Sequence, residues 1–181
     1  MVHNLVSDYR ASSVYEVDPL KIKALGFKYI LMDLDNTLAP YDILLPEQRT
    51  YTLMEAYLLA GLEVILISNN TKKRTLPFSS HLSLNCLYSA HKPCKRKIDR
   101  FLKKASLSKE KTLLIGDQVI NDMYLAHKLG VKGLLTDPIS KKDHISAKLI
   151  RPLDTFLRNR YRKQGRLGIL LEKDEKEVQQ L

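Results

Sequence analysis

Five short apolar runs, at 29–34, 63–68, 84–88, 112–116 and 131–135, recur along this chain with amphipathic stretches between them. Strand-length runs that alternate with helical patterns are the signature of βαβ units and a parallel sheet. The intervening stretches carry helix punctuation. Pro46 is placed to open one helix and Gly61 follows its end, the usual asymmetry of helix termini. Pro93 is expected to open another, in which Ile98, Phe101, Leu102 and Ala105 recur at helical spacing. A third helix is predicted from Ile120 to Leu129, stopping at Gly130, and a fourth from Ser146 to Arg162. That last helix is expected to turn Leu149, Ile150, Leu153, Phe156 and Leu157 toward the sheet. Before the first run, Asp18-Pro19 is placed to start a short helix over 18–25, and residues 172–181 read as a polar tail.

Composition narrows the class. At 181 residues and 44% apolar content, the chain is expected to form one domain with a core that needs no staples. The two cysteines, Cys86 and Cys94, fit neither a disulfide framework nor a zinc spacing, so a reducing, cytoplasmic setting is expected. No apolar run approaches the length of a membrane span. The net charge of +10 predicts a polyanionic partner: nucleic acid, an anionic lipid surface or a phosphorylated substrate. Nine Lys and Arg fall within 92–111, and seven within 148–166 (Lys148, Arg151, Arg158, Arg160, Arg162, Lys163, Arg166).

Chemistry enters at the ends of the runs. Tyr29-Ile30-Leu31-Met32 leads straight into Asp33 and Asp35, and carboxylates rarely terminate a buried run unless a site needs them. Open α/β sheets bind ligands at the carboxyl edge of their strands, where paired carboxylates suit a hard cation such as Mg²⁺. Asp and Asn are also common turn residues, so the pair alone decides little. The second run ends in Ser68-Asn69-Asn70, which can hold phosphate oxygens or merely cap a helix. The third is followed by His91-Lys92-Pro93, where Lys92 offers a point charge to a phosphate or a carboxylate cluster and His91 is read as peripheral. The fourth delivers Asp117, with Asp122 five residues beyond. Polar and charged groups at the ends of four successive strands exceed what turns and caps require.

In order and spacing, DLDNT, ISNN, HKP and GDQVIND resemble the four motifs of the haloacid dehalogenase-like (HAD) phosphohydrolases over about residues 29–137. The wording DLDNTLAPYD with HKP is similar to the YqeG branch, which by resemblance includes mitochondrial phosphatidylglycerophosphate phosphatases. The resemblance implies a doubly wound, Rossmann-like parallel sheet of about five strands with helices on both faces. It also implies roles. Asp33 would be the nucleophile and Asp35 the acid and base. Mg²⁺ would be held by Asp33, the backbone carbonyl of Asp35, and Asp117. Ser68, Asn69 and Lys92 would bind the phosphoryl group, with Asp122 in support. Retention of both Asp33 and Asp35 favours hydrolysis over the transferase and dehalogenase members.

Only 35 positions separate Asp33 from Ser68, and 24 separate Ser68 from Lys92, too few for a cap domain. An open site suits a phosphate borne on something large, such as a lipid headgroup, a protein or a nucleic acid; a homo-oligomer could also supply the missing wall. Leu149, Leu153, Phe156 and Leu157 with Arg151, Arg158, Arg160 and Arg162 could dock on the sheet and present a cationic rim to acidic lipid. A soluble substrate, or a basic RNA- or ribosome-associated role with a vestigial site, stays open. Few aromatics interleave with the basic runs, which disfavours nucleic acid.

Overall fold

The computed structural model describes residues 6–140 and 145–173, with side chains at 145–149 excepted. The predicted polar tail lies outside the described residues beyond Lys173, and the side chains of Lys148 and Leu149 lie outside them too. Seven strands form the sheet: β1 (Tyr9–Ala11), β2 (Tyr29–Asp33), β3 (Glu63–Ile67), β4 (Asn85–Leu87), β5 (Thr112–Gly116), β6 (Lys132–Thr136) and β7 (Ile169–Leu170). They pair in the order β4-β3-β2-β5-β6-β1-β7, every ladder parallel.

All five anticipated strands are present, shifted by at most a residue at either end. The sheet exceeds the expected five because β1 and β7 add to its far side. They are three and two residues long and carry no apolar run, so their existence depends on pairing with β6 and with each other.

Helices cover both faces. Alternate residues of each central strand belong to different cores: Ile30, Met32, Val64, Leu66, Leu113 and Ile115 pack on one face, and Leu31, Ile65, Ile67 and Leu114 on the other. Burial on both sides is why these strands read as continuous apolar runs. The first core is closed by α1 (Pro19–Ala24) and α2 (Gln48–Leu59) through Ile22, Leu53, Met54 and Tyr57, and by Phe78 of α3 (Lys72–His81). The second is closed by α4 (Arg96–Lys104), α5 (Tyr124–Leu129) and α6 (Ile145–Lys163) through Ile98, Leu102, Leu125, Leu129 and Tyr161.

The termini follow local chemistry. Asp18 caps α1 by accepting from the Leu20 amide at 2.8 Å, and Gly130 ends α5 at φ 75°, a left-handed position that suits glycine. Two helix expectations need correction. Pro93 does not open α4, which starts at Arg96, so the residues around Lys92 form a turn of their own. The stretch expected to begin a helix at Ile120 is a π-helical turn, Val119–Met123, that only then becomes α5.

The third correction concerns α6. Leu153 and Phe156, expected against the sheet, are 55% and 59% exposed. Asp154, Arg158 and Tyr161 are buried in their place, with Leu157 partly covered. The helix turns a polar face inward and part of its apolar face outward.

Chain direction positions the site. From β2 the chain moves outward through β3 to β4, then returns to place β5 on the other side of β2 and continues to β6. The order reverses between β2 and β5, and the crevice at their carboxyl ends is where doubly wound sheets bind ligands. Between β2 and β3 lie only the loop 34–47 and α2, and between β3 and β4 only α3 with its flanking turns, so no cap is inserted.

Candidate active site

Asp33 closes β2 and Asp117 follows β5, adjacent strands whose register brings the two carboxylates together. With Asp122 they form a buried acidic cluster whose nearest oxygens all lie within 4.8 Å of one another. Asp122 comes from the π-helical turn, which folds its carboxylate back over the strand end. Its Oδ2 accepts from the Gln118 amide at 3.0 Å. Gly116 makes this possible: a Cβ there would stand 2.3 Å from Asp122 Cγ.

Lys92 bridges the cluster. Its ammonium donates to Asp33 Oδ1 at 2.5 Å and to Asp122 Oδ1 at 2.7 Å, and both contacts are buried. Burial favours the neutral amine, but Asp122 and Asp33 outweigh it and hold the lysine above its ordinary range. Asn69 fixes the lysine's backbone: Lys92 N donates to Asn69 Oδ1 at 2.6 Å, and Asn69 Nδ2 donates to the Lys92 carbonyl at 2.9 Å. The Asn69 side chain, expected on phosphate, therefore positions Lys92.

Asp35 diverges from this cluster. Its Oδ2 accepts from Ser68 Oγ at 3.2 Å and Asn70 Nδ2 at 3.4 Å, and its Oδ1 lies 3.1 Å from Arg74 Nη2. Burial and the neighbouring Asp33 raise its carboxyl above the usual range, opposed by Arg74, Asn70 and Ser68. Ser68, fully buried, also accepts from the Asn70 amide at 3.0 Å. A cleft of about 350 Å³ opens over these groups and is lined by Asp33, Asp35, Asn69, Asn70, Lys92 and Asp122, among others.

Four participants were not anticipated. Thr37 donates to Asp33 Oδ2 at 3.0 Å and stands 3.5 Å from Asp117 Oδ1. Arg151 donates to Asp117 Oδ2 at 2.8 Å. Arg158 donates to the carbonyls of Asp117 at 2.5 Å and Thr136 at 2.9 Å, and to Asp137 at 2.6 Å. Arg74 is the fourth. The threonine stands inside the DLDNT motif and was within reach of sequence reasoning. The arginines carried no local signal in a chain so rich in them.

The cluster is short of positive charge. Burial, then Asp33, push the Asp117 carboxyl up to about 8, although Arg151 opposes this. Burial pushes Asp122 up to about 6 against the pull of Lys92. Closely spaced, buried, oxygen-only donors are what a small hard cation requires, and the crowding that disfavours their ionisation would be relieved by one. The residues present fit a divalent metal.

Known proteins bear on this geometry. The HAD-hydrolase-like family profile matches residues 89–151, which include Lys92, Asp117 and Asp122. The probable phosphatase YqeG of Bacillus subtilis (strain 168) is 27% identical over 160 residues, 88% of this chain and 93% of that protein. A crystal structure of an uncharacterized protein from Listeria monocytogenes serotype 4b is similar at a TM-score of 0.50 and 13% identity, covering 74% of this chain and 99% of that one. The last likeness bears on the fold alone. Doubly wound sheet, motif order and sequence likeness together make this chain a HAD-like phosphatase. Within that class its likeness is to the probable phosphatase YqeG.

Proposed function

We propose that the chain is a Mg²⁺-dependent phosphomonoester hydrolase that works through an aspartyl-phosphate on Asp33. The observation that carries this reading is the divergence of the two motif carboxylates: Asp33 lies in the acidic cluster with Asp117 and Asp122, while Asp35 faces Ser68, Asn70 and Arg74. One carboxylate is thus available for attack and the other for proton transfer. An Asp33 oxygen attacks phosphorus, the ester P–O bond breaks, and Asp35 gives its proton to the departing oxygen. Water, deprotonated by Asp35, then attacks the phosphorus of the acyl phosphate and releases phosphate and Asp33. Lys92, anchored by Asn69, keeps its ammonium against the reacting carboxylate, where it can balance phosphoryl charge. Mg²⁺ bound by Asp33, Asp117 and the Asp35 carbonyl, with Asp122 in support, would supply further charge neutralisation.

We further read the phosphate as one carried on an anionic lipid. Among the described residues nothing caps the cleft, and beside it Ile150, which lines the cleft, begins a stripe of α6 that continues through the exposed Leu153, Phe156, Arg160 and Lys163. Apolar side chains flanked by cations suit the boundary of an acidic leaflet, where each basic residue contributes about 1 kcal/mol. Among the described residues no helix is long and apolar enough to cross a membrane, so contact would be peripheral.

Phosphate release from phosphatidylglycerophosphate in vesicles, with and without Mg²⁺, tests the reading. Release by the wild type with Mg²⁺, abolished by EDTA and by Asp33→Asn, is the expected result. Release that survives Asp33→Asn would refute the nucleophile, and turnover of soluble esters alone would replace the lipid by a soluble substrate.

A further inference from the structure

Arg74 is a buried cation that none of the four motifs contains. It stands in the first turn of α3, 6% exposed, with its guanidinium 5.2 Å from the centroid of the Phe78 ring. Its Nε donates to the Tyr41 carbonyl at 3.2 Å and its Nη2 to the Pro40 carbonyl at 3.3 Å. The same Nη2 lies 3.1 Å from Asp35 Oδ1. Pro40 and Tyr41 belong to the loop that leaves Asp35 and leads to α2. One side chain therefore joins α3, that loop and the Asp35 carboxylate.

Stability does not account for the arrangement. A buried ion pair offsets its own desolvation only when its remaining polar atoms are satisfied. Arg74 Nη1 and Asp35 Oδ1 are both buried without a hydrogen-bond partner, so their contact is an ion pair without a hydrogen bond and stabilises the fold little. What it does set is direction. Ser68 and Asn70 hold Oδ2 of Asp35, and Arg74 faces Oδ1, which leaves the carboxylate one orientation at the cleft, turned from the acidic cluster. A planar guanidinium can serve carbonyls and a carboxylate at once, whereas a lysine ammonium is a single point.

We infer that Arg74 is a positioning residue for proton transfer: it anchors the loop through Pro40 and Tyr41 and thereby holds Asp35 where its proton reaches the departing oxygen. This rests on the hydrolase reading above. A general acid matters most when the leaving group is basic, so its misplacement has a signature that general loss of structure lacks.

Phenyl phosphate and 4-nitrophenyl phosphate differ little in shape, but phenolate is a far poorer leaving group than nitrophenolate. Arg74→Gln is expected to lose on the order of 10² in kcat/KM on phenyl phosphate and less than about tenfold on 4-nitrophenyl phosphate, since kcat/KM reports the steps up to departure of the leaving group and not the later hydrolysis in which Asp35 also acts. The double variant with Asp35→Asn should be no slower on phenyl phosphate than Asp35→Asn alone, because Arg74 acts through Asp35. Limited proteolysis should cut the 40–45 loop faster in Arg74→Gln. Equal losses on both esters, losses that multiply in the double variant, or unchanged loop cleavage would each overturn the role. If Arg74→Gln does not fold, Arg74→Lys, which keeps the charge without the fork, carries the same comparisons. A wild type that hydrolyses neither these esters nor phosphatidylglycerophosphate in vesicles would bring down the hydrolase reading, and the positioning role with it; where only the lipid is turned over, the double variant on that lipid and the loop cleavage decide.

Discussion

At Gly116 a missing methyl group decides how the acidic cluster is built. The Asp122 carboxylate occupies the space a Cβ would take, at 2.3 Å, and the neighbour in question is no flexible chain end but a short side chain held by Lys92 and the Gln118 amide. Gly116→Ala must therefore displace Asp122 and deprive Lys92 of one of its two carboxylates. Supporting groups of this kind typically account for 10- to 100-fold in metal affinity or activity, and overpacking adds about 1–3 kcal/mol of instability. We expect kcat to fall by roughly that factor and the melting temperature to drop; a variant unchanged in both would show that Asp122 is dispensable. The glycine was visible in GDQVIND, yet its reason was not, because the residue it accommodates arrives only through the π-helical turn. Asp33, Asp35 and Asp117 were legible because apolar runs lead to them at one sheet edge, whereas Lys92 and Asp122, which turns bring there, were legible through the order of the motifs. Arg74, Arg151 and Arg158 were not, since a cation's partner across the fold leaves no trace in its neighbours in sequence.

Among the elements, α6 departs furthest from its pattern. Hydrophobic periodicity assigned Leu153 and Phe156 to the interior, but the helix must also bring Arg158 to the carbonyls of Asp117 and Thr136 and Asp154 to the Ile120 amide at 3.1 Å. Those polar contacts fix its rotation, and the apolar residues follow outward. A periodicity argument weighs apolar burial and has no means of weighing a buried arginine that satisfies strand-end carbonyls. The strands obeyed theirs because burial on both faces leaves no rotational choice. Removing Arg158 leaves buried carbonyls without their donor, an effect of about 2 kcal/mol, or roughly 4–8 °C in Tm for a chain of this size. Arg158→Ala is expected to show that loss in a thermal melt, whereas Arg160→Ala, on the exposed face, should stay within about 0.5 kcal/mol of wild type. Equal effects would mean that charge, not the buried contacts, holds the helix.

For the molecule as a whole, the crowded carboxylates tie folding to pH and to metal. Asp117 at about 8 and Asp122 at about 6 both stand above the ordinary 3.8. Between about pH 4 and 8 the folded, metal-free chain keeps protons that the unfolded chain has released, so this cluster makes stability fall as pH rises through that window. A divalent cation competes with the same protons, so its affinity, and the stabilisation RT ln(1 + [L]/Kd) that follows, should grow over that range. Melts with Mg²⁺ and with EDTA should therefore be closer at pH 5.5 than at pH 8. A gap that narrows with rising pH would remove the cluster as the metal site.

The placement of β1 has a bearing on how the chain is made. Residues 9–11 precede β2 in the chain, yet their sheet neighbours are 134–136 on one side and 169–170 on the other. The central strands β2 to β5 can pair as they emerge, whereas β1 must wait for β6 before its first edge is satisfied and for β7 before its second. Such long-range closure is slow, because loop entropy is lost before the contacts that offset it form. β1 is thus made before the central strands but locked after them, and its unpaired edges are exposed for as long as β6 and β7 are missing.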